Sequence, residues 1–378
     1  MLFEAPPPDA TEEAVISRID EVRKTLSYAI NLKRWTGVLA RMTLARDIRG
    51  SNSIEGYNVT IDDAMAVADQ EGPMEAGGET LLALIGYRNA MTYVLQLSDD
   101  PHFAYSRELI KSLHYMMQQY DFTKNPGRWR PGPIFVRNGQ TAERVYEGPD
   151  ASLVDGLTHE LFEFLNKPPG GIHPMVLAAM AHLNLVMIHP FSDGNGRMSR
   201  VLQTLVLARS GILAKEFCSI EEYLGSNRQS YYDVLARVGT GSWHPERDAR
   251  PWVRYCLTAQ FRQASTLVIR ANILQKLWDI LEHETTVKGL PGRVIPALGE
   301  AALGLKIRNA TYRKSAGISE NVASRDLKLL SDIGLLMPEG EKRGRHYVAS
   351  EALRAMGAAA AQGEKKRIDD PFVLAAAR

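Results

Sequence analysis

The stretch His189-Pro190-Phe191-Ser192-Asp193-Gly194-Asn195-Gly196-Arg197-Met198-Ser199-Arg200 sets what this chain can become. Upstream, Met175 to Ile188 is rich in Leu, Ala, Met and Val and reads as a buried helix. Downstream, Val201 to Ala208 is mostly aliphatic, and Gly211 offers a stop. The stretch is therefore a corner between two helices, and the backbone must turn at Gly194-Asn195-Gly196. Glycine tolerates positive φ and lets a ligand approach the main chain closely. The helix that opens there presents unpaired N–H groups and the positive end of its dipole, a ready anion site. Arg197 and Arg200 are three positions apart, so both reach one side of that helix and can fork onto phosphate oxygens. Asp193 is a hard oxygen ligand suited to a Mg²⁺ shared with a phosphate. His189 is the only group of the stretch that takes a proton near neutral pH. These residue types in one loop point to phosphate-ester chemistry. The plain alternative is a glycine corner with a capping Asp and a solvated arginine pair.

The stretch resembles the signature of the Fic (Fido) family, H-x-F-x-[DE]-G-N-G-R-x-x-R, at every specified position. The resemblance implies a mainly α fold: a Fic/Fido helical core with a β-hairpin flap. It also implies an activity, protein adenylyltransferase (AMPylation), in which AMP passes from ATP to a Tyr, Thr or Ser hydroxyl of a target protein. Carried onto this chain, His189 is the catalytic base and Asp193 the Mg²⁺ ligand. Gly194, Asn195, Gly196, Arg197, Met198, Ser199 and Arg200 then bind ATP beside Asp193.

Composition narrows the setting. At 378 residues the chain can hold two or three cores, and 45 basic against 44 acidic residues argue against a generic nucleic-acid or membrane-surface protein. The two cysteines, Cys218 and Cys256, set no disulfide framework and suit a reducing compartment. Met1 to Ala14 has no signal pattern, and no apolar run reaches the ~18 residues of a membrane span, so a cytoplasmic protein is expected.

Taken in order, the chain predicts an N-terminal helical region over 1–98, a catalytic core over 99–285, a winged-helix unit over 292–350 and a tail over 351–378, loosely ordered from Ala358. Val15, Ile19, Val22, Leu26 and Ile30 recur at helical spacing, and Trp35, Leu39 and Leu44 either continue that helix or start another. Further helices are expected over 79–97, 106–120, 153–165 and 173–188. Between them Ile134-Phe135-Val136-Arg137, the turn signal Asn138-Gly139 and Arg144-Val145-Tyr146-Glu147 predict a hairpin within 134–147. It is either a connector over the core or, as the resemblance implies, the flap that holds target backbone by strand addition and lines the ATP site.

Ile220 to Val238 reads as one helical stretch carrying Tyr231-Tyr232. The resemblance implies that a tyrosine pair here flanks the adenine; on a helix the two point about 100° apart, so one faces the base while the other packs. Where some relatives have an Asn contacting the nucleotide, this chain reads Val238-Gly239-Thr240-Gly241, so that contact is lost or made by backbone at Gly239. Beyond the long helix 251–284, Pro291-Gly292 reads as a hinge. Helices near 310–315 and 320–333 and two strands follow, and they resemble a winged helix. Arg325, Lys328, Arg343 and Arg345 could meet DNA phosphates, but Glu320, Asp326, Asp332, Glu339 and Glu341 interleave, which favours docking to a protein.

A second motif precedes the core. Ser51-x-x-x-Glu55-Gly56 resembles the inhibitory [ST]-x-x-x-E-[GN] of many Fic proteins. On a helix Ser51 and Glu55 are neighbours, and the resemblance implies that Glu55 pairs with Arg200 where the ATP γ-phosphate belongs. The expected partners are a hydroxyl-bearing target protein, the chain itself through self-modification, and a second copy in a homodimer, with no membrane. The competing readings are a DNA-binding regulator with a Fic sensor, transfer of another phosphate moiety, removal of AMP, and a toxin. His182 and His189 lie seven apart, a conceivable metal pair without a third ligand.

Overall fold

The structure is a computed structural model that describes every residue except 74, 138–140, 142, 212, 342, 343, 365, 366, 377 and 378. Helix α1 (Ala10–Ile30) opens on a capping box in which Asp9 accepts from the Glu12 N–H and Glu12 accepts from the Asp9 N–H. The chain breaks at Leu32, which sits at positive φ, so Leu39 and Leu44 belong to a second helix, α2 (Thr36–Ile54). Then come α3 (Ile61–Ala68), α4 (Gly78–Leu97) and α5 (Arg107–Gln118), the last capped by Ser106. The hairpin follows as β1 (Phe135–Arg137) and β2 (Arg144–Glu147), antiparallel with Phe135 opposite Glu147 and an irregularity after Val136. The turn expected at Asn138-Gly139 lies outside the described residues.

Next are α6 (Val154–Asn166), α7 (Pro174–Ile188) and α8 (Asn195–Arg209). Helix α7 is apolar on all sides, and it is buried on all sides: from Met175 to Ile188 only Leu177 is not fully covered. The stretch expected as one helix after α8 is two, α9 (Glu221–Ser226) and α10 (Arg228–Gly239), because Asn227 leaves helical geometry between them. Gly241-Ser242 forms β3, pairing in parallel with β2, so the hairpin is part of a three-stranded sheet with β1 on an outer edge. Helix α11 (Arg250–Val287) runs 38 residues and packs on α1 and α7, and its Trp252 donates to the Ala179 carbonyl in the middle of α7 at 2.7 Å.

The C-terminal part runs α12 (Ile295–Ala302), α13 (Asn309–Ala316), α14 (Glu320–Asp332) and the antiparallel pair β4 (Leu336–Glu339) and β5 (His346–Ala349). The segment around Pro291-Gly292 is no loose hinge: Val294 and Ile295 are buried at once, and α12 packs on α11. The loosely ordered tail is also corrected. Ser350 caps α15 (Glu351–Ala361), which buries Leu353, Gly357 and Ala360, and α16 (Pro371–Ala376) lies against α1. Gly357 is needed there, since a side chain would strike the Ala302 backbone. Polar contacts seat this part on α3: the Lys306 N–H donates to Asp62 at 2.8 Å, and Arg308 and Thr311 reach Glu71 at 3.1 and 2.8 Å. No helix among the described residues is long and apolar enough to cross a membrane.

Candidate active site

The site is built on the C-terminal end of α7. A helix leaves its last carbonyls without partners, and here almost every one can be accounted for. The Leu185 carbonyl accepts from the His189 N–H at 3.1 Å and the Val186 carbonyl faces His189 Nδ1 at 3.0 Å. Tyr146 of β2 donates to the Met187 carbonyl at 2.8 Å, and Arg130 takes the carbonyls of His189 and Pro190, through Nε and its backbone N–H, at 2.9 Å each. His189 itself sits in the left-handed region, φ +52, the turn that ends the helix. A carbonyl can only accept, so Nδ1 must carry the proton and Nε2 is left as the basic nitrogen. Burial lowers the His189 pKa below its ordinary 6.5, and the charge of Arg130 adds to this, against the Val186 bond, Glu55 and Asp193. The imidazole is therefore neutral near pH 7.

From Gly194 (φ +75) the chain enters α8. Asn195 ties the corner to itself: its amide accepts from the Phe191 N–H at 2.9 Å and donates to the Phe191 carbonyl at 2.8 Å. Arg197 and Arg200 follow one turn on, both buried. Arg200 donates from Nε to the Ser51 hydroxyl at 2.6 Å and from one terminal nitrogen to the Ser51 carbonyl at 3.1 Å. The same nitrogen meets Glu55 Oε1 at 2.7 Å, with the arginine side chain 0% exposed and the glutamate 27%. The Glu55 carboxylate also lies on the first turn of α8, where a side chain added at Gly196 would strike it. The α8 anion site is thus filled by a carboxylate of the same chain. Tyr57, two residues further, lays its ring 5.3 Å from the Arg197 guanidinium.

Helix α2 delivers Glu55 rigidly. Gly50 and Gly225 let α2 and α9 touch backbone to backbone, and a side chain at either would collide with the other helix. Ser51 and Asn52 are buried, while Glu55 and Gly56 are at the helix end, where the loop begins.

Asp193 is half-exposed, with 36% of its side chain open. Its Oδ1 accepts from the Gly194 N–H at 2.7 Å, and Oδ2 lies 3.4 Å from Lys124 Nζ. Among the described residues no cluster of three or more His, Cys, Asp or Glu is placed to hold a metal. One carboxylate with an outward oxygen still fits Mg²⁺, which commonly binds through one or two carboxylates plus substrate phosphates. His182 is not part of a metal pair: its nitrogens meet Gln203 Oε1 at 2.5 Å and the Tyr231 hydroxyl at 3.0 Å, and Asn184 serves Phe3 instead.

A sequence model of the Fic/DOC family matches residues 104–207, from just before α5 to near the end of α8. Those residues are a Fic domain. The protein adenylyltransferase Fic of Nematostella vectensis is 26% identical over 288 residues, 73% of this chain and 59% of that protein. Its namesake from Drosophila virilis is 40% identical over 252 residues, 65% of this chain and 47% of that protein. The chain thus spans about half the length of the curated relatives it matches. A Fic family protein from Desulfovibrio desulfuricans superposes over 92% of this chain and 98% of its own, with a TM-score of 0.57 and 21% identity. A Fic domain protein from Bacteroides thetaiotaomicron superposes over 67% of this chain and 96% of its own, with a TM-score of 0.55 and 21% identity. These two likenesses concern the fold.

Around the Fic domain the structure gathers what the sequence singled out. Glu55 and Ser51 reach in from α2, outside the domain. Of the tyrosine pair on α10, Tyr231 is buried against His182 and Trp252, while Tyr232 is 41% exposed and donates to the Ile54 carbonyl at 3.0 Å. Gly239 lies beneath the sheet, where a side chain would press on Met187 and Tyr146. Met198 and Ser199 are buried in α8, Ser199 donating to the Asn195 carbonyl, so they shape the helix. Of the hairpin, Phe135 and Arg137 are exposed and Val136 half-buried, and Ile134 closes its base through Gly148 at 3.2 Å.

Three residues that sequence reasoning missed hold this arrangement. His114 of α5 stacks on Phe191 (3.7 Å, 6°), accepts from the Gly127 N–H at 2.9 Å and faces the Asp193 carbonyl at 3.0 Å. Burial pushes its pKa down to about 4, so it stays neutral and its Nε2–H donates to Asp193. Glu221 lies buried behind Ser51, held by Tyr87 and Thr204, and burial pushes its carboxyl up. Arg130 is the third.

Proposed function

We propose that the protein transfers AMP from ATP to a Tyr, Thr or Ser hydroxyl of a target protein, and that Glu55 holds the resting enzyme back. One observation carries this: a neutral histidine with its Nε2 basic, in the same corner as an anion site backed by two buried arginines. The adenylyltransferase names of the relatives support the choice of AMP.

In this reading the target hydroxyl gives its proton to His189 Nε2 as its oxygen attacks the α-phosphorus. The bond from that phosphorus to the β-phosphate oxygen breaks, and pyrophosphate leaves. The first N–H groups of α8, with Arg197 and Arg200, take the charge that builds on the leaving group. Asp193 would hold a Mg²⁺, whose charge neutralises the phosphates. Tyr232 offers its exposed ring to the base, and the outer edge of β1, as a flap, takes the target backbone by strand addition. Glu55 competes with the γ-phosphate for Arg200, because two anions cannot share one guanidinium at the same place. The part from α12 to β5 we read as a winged-helix unit for docking to a protein.

The test is to incubate the Glu55→Gly variant with lysate and ATP labelled on either the α- or the γ-phosphate. Protein-bound label above that of lysate without the variant is expected from α-labelled ATP alone. Excess label from the γ-position, or no excess from either, would refute AMP transfer.

A further inference from the structure

Arg130 is a buried arginine near the corner whose guanidinium hydrogen bonds all go to backbone carbonyls. Its Nε donates to the His189 carbonyl at 2.9 Å, one terminal nitrogen to the Gly132 carbonyl at 2.6 Å and the other to the Pro149 carbonyl. Its own N–H donates to the Pro190 carbonyl at 2.9 Å. Gly132 and Pro149 bracket the hairpin on either side, and His189 and Pro190 end α7, so a single side chain crosses from one to the other. Gly148 leaves the room: a side chain there would strike Ile134 and crowd the Arg130 guanidinium. No carboxylate among the described residues forms a salt bridge with Arg130. An arginine kept at 4% exposure, with its guanidinium fixed on three carbonyls and Asp150 acting on it only through its charge, is committed to geometry.

We propose that Arg130 is a positioning residue that ties the hairpin to the His189 carbonyl, so that target strand and base move as one body. This rests on the AMP-transfer reading above. Strand addition fixes the backbone of a target segment, and its hydroxyl must then arrive within hydrogen-bond reach of Nε2. Slack between hairpin and histidine would leave each intact and their separation undefined. Misplacement on the order of an ångström costs ~10²-fold in rate. Tyr146 makes a parallel tie from β2 to the Met187 carbonyl at 2.8 Å. The charge of Arg130 has a second effect. It stands with Glu55 and Asp193 among the charged groups that set the His189 proton equilibrium, and it favours the neutral ring.

The experiment uses the full chain with Glu55→Gly as parent, and compares Arg130→Lys, which keeps the charge, with Arg130→Gln, which removes it. Labelling of the strongest lysate band is followed against lysate concentration and pH, and binding of Mg-ATP by calorimetry. Both variants are expected to need about tenfold more lysate for half-saturation or to label ~10-fold more slowly, with Mg-ATP affinity within about twofold of the parent. Only Arg130→Gln should move the acid limb of the pH profile upward, and an NMR titration of His189 should show the same move. Tyr146→Phe, which removes the second tie without touching charge, should slow labelling and leave the limb in place. Labelling by both arginine variants at the parent's level would overturn the proposal, as would loss of Mg-ATP binding in step with labelling. Should the parent itself label nothing, the AMP-transfer reading fails. The tie is then judged by amide exchange in β1 and β2, which Arg130→Gln must speed, and unchanged exchange would overturn it.

Discussion

Replacing Glu55 with Gly should make the protein less stable and more active at once. The variant removes one charge-assisted hydrogen bond, 2.7 Å from Glu55 Oε1 to a fully buried guanidinium. Such bonds contribute about 1.5–3 kcal/mol, and breaking a wholly buried pair costs about 3–5. Glu55 is partly exposed, and Arg200 keeps its two bonds to Ser51, so the lower figure applies, about 2 kcal/mol. At roughly 2 °C per kcal/mol for a chain of this size, the apparent Tm falls by about 4 °C. Removing the carboxylate also clears the first turn of α8, which Glu55 occupies beside Gly196. With the γ-phosphate free to reach Arg200, the α-phosphate can align, and labelling should rise ~10²-fold. ATP should raise the Tm of Glu55→Gly more than that of the wild type, because a phosphate replaces the lost carboxylate. Glu55→Asp, one methylene shorter, should fall between. The assay is self-labelling with α-labelled ATP, run with thermal melts of wild type, Glu55→Gly, and Glu55→Gly with Arg200→Ala. Labelling no higher than wild type would refute the reasoning. A double variant as active as Glu55→Gly would mean that Arg200 is not the contested group.

Because burial holds the His189 pKa below 6.5, the rate of Glu55→Gly should fall with acid only below pH 6.5, as Nε2 takes up the proton it needs to lack; a limb centred above 6.5 contradicts this. Asp193→Ala should weaken ATP binding in Mg²⁺ and leave binding in EDTA unchanged, which a metal titration of affinity reads directly. His114 carries a folded pKa near 4 against 6.5 in the free state, so its neutral form supports the fold above pH 6.5 and that support is lost between 6.5 and about 4. The Tm of His114→Gln should accordingly vary less with pH over that range, and an identical slope would contradict the buried neutral ring.

What the sequence disclosed were elements whose parts lie close together in it. The corner His189–Arg200 carries its histidine, aspartate and arginines in one loop, and Ser51 with Glu55 forms a single helical turn, so spacing alone was enough to group these residues. The meeting of Glu55 with Arg200 spans 145 residues and came through the family resemblance; the structure brings the two together. Arg130, His114 and Glu221 gave no such signal. Their partners stand 59, 79 and 134 residues away, and an isolated arginine or histidine looks the same whether solvated or buried. The clue for Arg130 was the run Pro126-Gly127-Arg128-Trp129-Arg130, a turn carrying large side chains toward the hairpin. Helices α12 and α15 escaped because short, alanine-rich segments show little periodicity, and β3 escaped because two residues, Gly241 and Ser242, carry no alternation. The break at Asn227 follows Gly225-Ser226, so a run of three turn-favouring residues marked it locally inside an otherwise helical stretch.

The central claim is that His189 takes the proton of an attacking hydroxyl while the rest of the corner holds ATP. It is tested most directly by comparing Glu55→Gly with Glu55→Gly carrying His189→Ala, measuring protein-bound AMP by intact mass and Mg-ATP affinity by calorimetry on the same samples. The second variant should lose ~10²–10⁴-fold in AMP transfer and keep its affinity, since the imidazole serves the hydroxyl and not the phosphates. Transfer at the parent's rate without His189 would contradict it.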